Sequence, residues 1–264
     1  MKNNSKIAVI GAMDCEIELL RGLLKNPEEI NAGRFTVFKG IIGNHEVIVA
    51  RSGVGKVAAA SCAQFLTDKF QPDYIINTGV AGGIAEDLSI GDVVVATKLV
   101  HHDFDATALG YARGYICNGI NPKEPTIFYS DEELNKKFLE VAKKTLPEKS
   151  LHKGLIASGD MFIGTSSKKE ELKKLFGATA AEMESAAIAQ TAFLNHIPFL
   201  IVRAISDLAD GTKTENFGEF EHHSAQISAE IICSTKFKPN RNKKGYLENT
   251  LFDFLTNCQI NYCS

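Results

Sequence analysis

The chain has 264 residues, which is enough for a domain with a substantial core of its own, since domains usually hold about 100–200 residues. Hydrophobic residues make up 44% and charged residues 23%, and the 29 basic and 32 acidic residues leave a net charge of −3. A charge of this size provides no overall attraction to nucleic acid or to an anionic membrane, so we expect a globular protein whose partner is a small molecule.

Short β-branched runs alternate along the chain with longer helical patterns. The predicted strands are Ile7–Ala12, Phe35–Lys39, Glu46–Arg51, Tyr74–Asn77, Asp92–Leu99, Leu155–Ser158 and Pro198–Arg203. The predicted helices are Asp14–Leu24, Lys56–Lys69, Glu132–Thr145, Lys168–Phe176, Ala181–Asn195 and Phe217–Cys233. Several strands are apolar throughout, which is typical of central strands that helices cover on both faces. We therefore predict an α/β fold with three layers, α/β/α, around a central sheet.

The expected single domain covers residues 1–234, since neither an internal repeat nor a low-complexity linker interrupts them. Residues 235–264 differ in composition: a basic run surrounds Pro239, and the segment Leu247–Leu255 that follows has some helical character. A basic run of this length is usually a solvated segment, and the sequence indicates no role for this tail.

Six cysteines are spread along the chain without a CxxC pair, which is typical of thiols in a reducing compartment. The first apolar run, Ile7–Ala12, is too short for a signal peptide, and no stretch reaches the roughly 20 apolar residues of a membrane span. We therefore expect a cytoplasmic protein. The pairs His101-His102 and His222-His223 lack metal-ligand spacing, and no nucleophile elbow is present, so we expect neither a metal site nor acyl-enzyme chemistry.

Two glycine-rich segments follow predicted strands. Ser52–Ala58 contains the G-x-G-x-x-A pattern of a dinucleotide-binding turn, but the acidic residue of that motif should end the next strand, and Asp73 begins one. A P-loop is excluded because Ala50 stands at the first glycine position and Val57 follows the lysine. The second segment, Asn77–Gly83, predicts either a plain tight turn or one whose backbone N–H groups approach a ligand.

Three acidic residues lie where stability alone explains them poorly. Glu16 follows the first strand, Asp207 ends the last one, and Glu184 lies in an almost wholly apolar, hence buried, helix. Taken singly, each could be a cap or a first-turn acid. Together they favour a ligand site at one edge of the sheet. Glu182 lies two residues from Glu184 on the same predicted helix, so the two should point to different sides.

Six motifs, in order along residues 7 to about 230, resemble the methylthioadenosine/S-adenosylhomocysteine nucleosidases of the nucleoside phosphorylase/hydrolase superfamily. They are Ile10-Gly11-Ala12-Met13 with Glu16, Ser52–Ala60, Asn77-Thr78-Gly79 with Ala81-Gly82-Gly83, Ser158–Ile163, Glu182-Met183-Glu184 and Val202–Asp207. The resemblance implies a nucleoside phosphorylase-like fold with a mixed central sheet. It also implies hydrolysis, without a cofactor, of 5'-methylthioadenosine, S-adenosylhomocysteine and 5'-deoxyadenosine to adenine and the corresponding ribose, in methionine salvage and activated-methyl recycling.

The resemblance assigns the catalytic roles to the three acids. Glu16 would activate the attacking water, Asp207 would protonate N7 of adenine, and Glu184 would contact the ribose hydroxyls. Breaking the C1'–N9 bond develops positive charge on the sugar and negative charge on the purine, so a proton on N7 and a carboxylate near the sugar both lower the barrier. Asp207 should then be protonated, and Glu16 ionised, at neutral pH.

The resemblance also assigns the substrate-binding positions. These are Gly82, Ala81, Val54, Phe162, Ile163, Glu182, Met183, Arg203, Ser206 and Phe217. Phe162 would stack on the purine, the Ile163 backbone would read its edge, and the Met183 backbone would contact the ribose. Ser206 and Arg203 would hold Asp207. A homodimer is implied as well, in which the loop near Leu109–Cys117 caps the partner's pocket.

Val80 and Leu109 depart from the family pattern, where a small polar residue and an aromatic residue are usual. Three alternatives remain. A purine nucleoside phosphorylase on the same fold needs a phosphate site, and Ile75-Ile76-Asn77 and Val80 offer neither an arginine nor a hydroxyl. Futalosine hydrolysis uses the same chemistry and stays open. A non-catalytic adenosine-binding module would not need the water-activating base.

Overall fold

The structure, a computed structural model, describes residues 5–116 and 121–211. Its strands are β1 (Lys6–Gly11), β2 (Lys25–Ala32), β3 (Phe35–Ile42), β4 (His45–Arg51), β5 (Tyr74–Gly83), β6 (Val93–His101), β7 (Phe128–Tyr129), β8 (Leu151–Ser158), β9 (Ala178–Glu182) and β10 (Phe199–Asp207). Its α-helices are α1 (Asp14–Leu23), α2 (Lys56–Phe70), α3 (Glu132–Ala142), α4 (Ser166–Phe176) and α5 (Ser185–Leu194). The predicted helix Phe217–Cys233, the site residue Phe217 and the basic tail lie outside the described residues.

Helices cover both faces of the sheet, as the continuously apolar strands predicted. Ala8 and Ile10 of β1 pack into a cluster with α2 and α5, while Ile7 and Val9 pack into a second cluster with α1 and α3. All four side chains are fully buried, since successive residues of a strand point to opposite faces. The predicted three-layer α/β/α fold around a mixed sheet is confirmed.

The strand order brings three parallel strands together at the centre. β1 pairs in parallel with β4 and β5, and β5 pairs in parallel with β10. β6 and β8 then continue from β10 to β9, and β9 returns antiparallel to β5, so these five strands close into a ring. Because β1, β5 and β10 run in the same direction, the residues that follow or end them meet at one edge of the sheet.

Three strands are absent from the sequence prediction, for different reasons. β2 is an exposed edge strand with Pro27 and two glutamates, so it lacks the apolar pattern of a buried strand. β7 has only two residues. β9 is rich in alanine, which favours helices, and pairing with β8 and β5 overrides that preference. The predicted helix Ala181–Asn195 is therefore wrong at its start, since α5 begins at Ser185.

The second glycine-rich segment is also strand rather than turn. β5 continues through Asn77–Gly83, because β10 pairs with it as far as Gly82. Within the described part of the chain, no helix has both the length and the apolar character that a membrane crossing requires.

Close packing between β8 and β9 depends on a glycine. An added Cβ on Gly154 would lie 2.5 Å from the Cβ of Thr179, and also against its hydroxyl. We therefore expect Gly154→Ala to reduce the free energy of unfolding by about 1–3 kcal/mol, as overpacking usually does. Gly22→Ala in α1, where an added Cβ meets nothing within 4 Å, should be neutral or stabilising by up to about 1 kcal/mol. Urea unfolding of both variants measures this, and equal stabilities would contradict it.

Candidate active site

Glu16 lies in the first turn of α1 and is buried, with 3% exposure. Its Oε2 accepts hydrogen bonds from the backbone N–H groups of Ala12 (2.5 Å) and Met13 (3.0 Å), and its Oε1 accepts one from Val80 (3.2 Å). A Cβ on Gly79 would overlap Oε1 and lie 3.0 Å from Cδ. Glycine at this position therefore lets the strand approach the carboxylate.

Burial raises the pKa of Glu16 above its ordinary value, and this outweighs the opposing effects of the Arg203 charge and of the three backbone donors. A raised pKa makes the ionised carboxylate a stronger base, but it also opposes the ionised form that the sequence predicts for Glu16. The donors from Ala12, Met13 and Val80 fix the orientation of the group. The residue thus combines the burial and the fixed geometry that a general base requires.

Asp207 ends β10 and is 6% exposed. The Ser206 hydroxyl donates to its Oδ2 (3.0 Å), and the backbone N–H of Ala209 donates to its Oδ1 (2.8 Å). In the parallel ladder Asp207 pairs with Gly82, where an added Cβ would lie only 2.9 Å from Oδ1. A second glycine of β5 therefore makes room for a second carboxylate.

Glu16 and Asp207 consequently both contact β5, Glu16 at Gly79 and Asp207 at Gly82, three residues further along. Three residues of a strand span roughly 10 Å, so the segment from Gly79 to Gly82 runs from one carboxylate to the other. Ala81 lies within this segment, is 4% exposed and pairs with Ile205. The structure thus brings the two predicted acids to one short stretch of backbone at the ligand edge of the sheet.

Glu184 occupies the N-cap position of α5 and is 7% exposed. Its Oε1 accepts a hydrogen bond from the backbone N–H of Gly55 (2.8 Å), in the first glycine turn. Burial, with the negative charge of Glu182, raises the pKa of Glu184 to about 7, and the charge of Glu16 acts in the same direction. The third predicted acid therefore lies within electrostatic range of the first.

Glu182 and Glu184 do not share a helix, so the prediction that they point to different sides of one is wrong. Glu182 ends β9, while Glu184 precedes α5, and the backbone N–H of Glu184 donates to Glu182 Oε2 (3.1 Å). Ser158 and Ser185 also donate to the Glu182 carboxylate. Donors from the protein itself thus surround this group.

Arg203 pairs with Glu182 and not with Asp207, which corrects a second expectation. Among the described residues, its guanidinium donates to Glu182 Oε2 (2.9 Å), the Asn77 side chain and the Val202 carbonyl. Four residues of a strand span about 13 Å, so Arg203 lies too far along β10 to reach Asp207. Burial works to raise the pKa of Glu182, but Arg203 and the hydrogen bonds from the serines outweigh it and lower the pKa.

The remaining expected binding residues differ in exposure. Ile163 is 6% exposed and packs with Ala209, next to Asp207, whereas Phe162 and Val54 expose 66% and 56% of their surface. Met183 is half-buried between the two glutamates. Ile163 and Met183 therefore adjoin the acids, and Phe162 and Val54 present open apolar surface.

Three contributors to the site were not identified from the sequence. Asn77 and Ser185 hydrogen bond to each other and to the Arg203–Glu182 pair. The backbone N–H of Gly55 binds Glu184. The signal for Asn77 was available, since a polar side chain in a buried strand needs a partner, but its partners are distant in sequence.

The argument against dinucleotide binding at the first glycine turn agrees with the structure. Asp73 precedes β5 and bonds with Lys6 at the start of β1, through Lys6 N to Asp73 Oδ2 (2.8 Å) and Asp73 N to the Lys6 carbonyl (2.7 Å). These are the amino ends of the strands, opposite the edge that carries the glycine turn.

Comparison with known proteins gives the family. The model of the phosphorylase superfamily matches residues 6–235. Over 228 residues the chain is 41% identical to the 5'-methylthioadenosine/S-adenosylhomocysteine nucleosidase of Actinobacillus succinogenes, covering 86% of this chain and 96% of that protein. The chain belongs to this nucleosidase family of the phosphorylase superfamily. The resemblance drawn from the six motifs is confirmed.

Solved structures of similar proteins include one with a bound nucleoside analogue. The 5'-methylthioadenosine/S-adenosylhomocysteine nucleosidase from Neisseria meningitidis, in complex with methylthio-immucillin-A, has a TM-score of 0.80 and 41% identity and covers 88% of this chain and 100% of its own. The native futalosine hydrolase of Helicobacter pylori has a TM-score of 0.76 and 36% identity, covering 86% of this chain and 95% of its own. A member of the nucleosidase family and a futalosine hydrolase therefore both share this fold.

The raised pKa of Glu184 predicts a pH-dependent effect on stability. Because the folded pKa, about 7, exceeds the ordinary value of 4.5, the stability that the neutral carboxyl provides is complete below pH 4.5 and is lost as the pH rises through 7. Glutamine stays neutral and still accepts the Gly55 hydrogen bond. Glu184→Gln should therefore have a melting temperature that rises relative to wild type between pH 5 and pH 8, by several degrees, since each kcal/mol shifts it by about 2–4 °C.

Differential scanning fluorimetry at both pH values measures the effect. Glu18→Gln is the matched control, because Glu18 is an exposed glutamate on α1. A difference from wild type that is the same at both pH values would show that Glu184 is not the titrating group.

Proposed function

We propose that the chain hydrolyses the N-glycosidic bond of 5'-methylthioadenosine and S-adenosylhomocysteine, and also that of 5'-deoxyadenosine, releasing adenine. The observation that carries this proposal is the position of Glu16 and Asp207 at the two ends of the Gly79–Gly82 segment. Glu184 lies within range of Glu16 and offers a third carboxylate. The names of the similar proteins agree with this activity.

Glu16 is proposed as the base that activates water on the sugar side. The backbone donors fix its carboxylate, and its raised pKa favours acceptance of a proton from the attacking water. Its negative charge also stabilises the positive charge that develops on the ribose as the C1'–N9 bond breaks. Glu184 and the Met183 backbone, on the same side, are proposed to bind the ribose hydroxyls.

Asp207 is proposed as the acid on the purine side, where it gives a proton to N7 of the departing adenine. Ser206 orients one carboxyl oxygen and Ala209 the other. Gly82 lies directly against this group, and its missing Cβ leaves the room that the carboxyl occupies. Protonation of N7 neutralises the leaving group in the transition state.

Apart from Arg203 and Glu182, the remaining binding positions keep the roles implied by the resemblance. The Ile163 backbone is proposed to read the purine edge, and the exposed ring of Phe162 is available to stack on the base. Ala81, Val54 and Phe217 are proposed to line the nucleoside site. Arg203 and Glu182 are proposed to act through the frame of the site, since their charges satisfy each other.

Futalosine is the second candidate substrate, because a futalosine hydrolase shares 36% identity with the chain. A phosphorylase is disfavoured, since Val80 brings no hydroxyl to the glycine segment, and its N–H is bonded to Glu16. A binding module without catalysis would not account for the buried acids at both ends of that segment.

We propose further that residues 1–234 form the catalytic domain and that residues 235–264 form a tail. We also propose that the protein is cytoplasmic, works without a cofactor and serves methionine salvage.

The decisive experiment incubates the chain with each nucleoside in phosphate-free buffer and measures free adenine by chromatography. Adenine release from 5'-methylthioadenosine and S-adenosylhomocysteine without phosphate is the expected result. Strict phosphate dependence, with ribose-1-phosphate as a product, would identify a phosphorylase instead. Cleavage of futalosine alone would favour the second candidate.

Two isosteric variants test the assignment of the acids in the same assay. Asp207→Asn and Glu16→Gln should each lower kcat by about 100-fold or more, which is within the usual contribution of general acid–base catalysis. Nucleoside affinity should stay within about tenfold for Asp207→Asn, because its proton matters mainly in the transition state. Glu46→Gln, a surface glutamate paired with lysines, is the control. A variant with near wild-type kcat would move that role to another residue.

We also propose that the chain is a homodimer. Large apolar side chains are exposed on several loops and on α2, among them Val54, Val57, Leu109 and Phe162 with exposures of 56%, 79%, 69% and 66%. Exposed apolar surface of this kind favours a protein partner. Sedimentation velocity should give about twice the mass of one chain, which is 28.8 kDa. A fully active monomer would contradict the proposal.

A further inference from the structure

Three loops at the carboxyl edge of the sheet are joined by one set of charged groups. Lys56 begins α2, Asp103 follows β6 by two residues, and Asp160 follows β8 by two residues. Lys56 Nζ lies 2.5 Å from Asp103 Oδ1, and the other oxygen of Asp103 accepts the backbone N–H of Asp160 (2.8 Å). The Asp160 side chain in turn accepts the backbone N–H of Lys56 (2.8 Å).

These contacts form a closed cycle, which we call the Lys56 clasp (Lys56, Asp103 and Asp160). Each residue is held at two points, so no member can turn without breaking a hydrogen bond. The Lys56 and Asp103 side chains are 21% and 22% exposed, which screens their ion pair less than a surface pair would be screened. The cycle therefore fixes the backbone of Asp160 relative to the start of α2.

The clasp also connects the two sides of the site. Gly55, next to Lys56, donates its N–H to Glu184, and an added Cβ on Gly55 would lie 3.1 Å from Asp160 Oδ1. Asp160 begins the loop that carries Phe162 and Ile163. The glycine turn thus contacts the sugar-side carboxylate with one N–H and the purine-side loop with the next.

Phe162 has few constraints apart from its own loop. Its ring is 66% exposed, and it lies about 3.2 Å from where a Cβ of Gly164 would stand. The direction of the ring therefore follows the backbone of this loop, and that backbone is anchored at Asp160. A misplacement of about 1 Å in a group that positions the substrate can lower catalytic efficiency by about 100-fold.

We propose that Lys56, Asp103 and Asp160 are positioning residues that hold the purine-side loop, with Phe162 and Ile163, at the distance from Glu184 that a nucleoside requires. The inference rests on the proposed function, since it assumes that a purine binds at this loop. Within the described part of the chain, the three contacts that form the clasp involve neither Glu16 nor Asp207. It should therefore control the binding of the nucleoside and leave the chemical step to the two acids.

Steady-state kinetics with 5'-methylthioadenosine test the proposal. Lys56→Met and Asp103→Asn should each raise KM by about tenfold while kcat stays within about threefold of wild type. The double variant should be no worse than the poorer single variant, because both changes break the same contact. Lys56→Arg keeps the charge and should retain most of the affinity. Lys137→Met is the control for the loss of a lysine ion pair, since Lys137 on α3, 27% exposed, pairs with Glu133, which is 72% exposed.

A second measurement needs no catalysis. The chain contains no tryptophan, so Phe162→Trp introduces a single fluorophore into the loop. In that background, Lys56→Met and Asp103→Asn should lower the fluorescence anisotropy of the indole without nucleoside, whereas Lys137→Met should not. Asp103→Asn keeps the size of the side chain but removes the charge that holds Lys56, so it provides a result even if Lys56→Met folds poorly.

The outcomes separate the clasp from the proposed function. The clasp alone would be overturned if the wild type is active and Lys56→Met and Asp103→Asn change neither the KM nor the anisotropy of the reporter. A fall in kcat at unchanged KM, or single effects that multiply in the double variant, would overturn it as well. A wild-type chain that releases no adenine in the same assay would overturn the proposed function.

Discussion

The buried ion pair between Arg203 and Glu182 is the constraint on which the site depends. It joins β10 to β9, and its hydrogen bonds extend to Asn77 on β5, Ser158 on β8 and Ser185 at the start of α5. Burying two charges is costly. Removing one partner of such a pair nevertheless usually lowers the free energy of unfolding by about 3–5 kcal/mol, because the other charge remains buried without a partner. The pair is thus retained as a unit, and it sets the relative positions of the strand ends that carry the acids.

The same pair shapes the electrostatics around the site. Glu16, Glu182 and Glu184 all lie within the field of one guanidinium, Arg203. Glu182 takes most of this charge, and its pKa is lowered, while the pKa values of the other two are raised by burial. In the proposed reaction, Glu16 and Glu184 would face the sugar, on which positive charge develops. A preorganised charge in a buried site stabilises such a transition state more strongly than it would in water.

Backbone groups complete the arrangement and explain the glycines. Because Gly79 and Gly82 lack a Cβ, Glu16 and Asp207 can approach β5 closely. At the start of α2, the N–H groups of Gly55 and Lys56 bind the carboxylates of Glu184 and Asp160. Unpaired N–H groups at a helix N-terminus bind negative groups well. The turn that resembles a dinucleotide-binding motif therefore uses the same physical property for a different purpose: it binds carboxylates of the protein.

The sequence by itself determined the layers of the fold, the main strands and helices, and the residues that could do the chemistry. Apolar periodicity and the acidic residues Glu16, Glu184 and Asp207 can be read locally from the sequence. The order of the six motifs indicated the family. Only the tertiary structure decided that Ala178–Glu182 is a strand, that Arg203 pairs with Glu182, and that Lys56, Asp103 and Asp160 meet. The physical reason is that strand pairing and ion pairing join residues far apart in the chain, so local propensity and spacing carry no information about which partners are chosen.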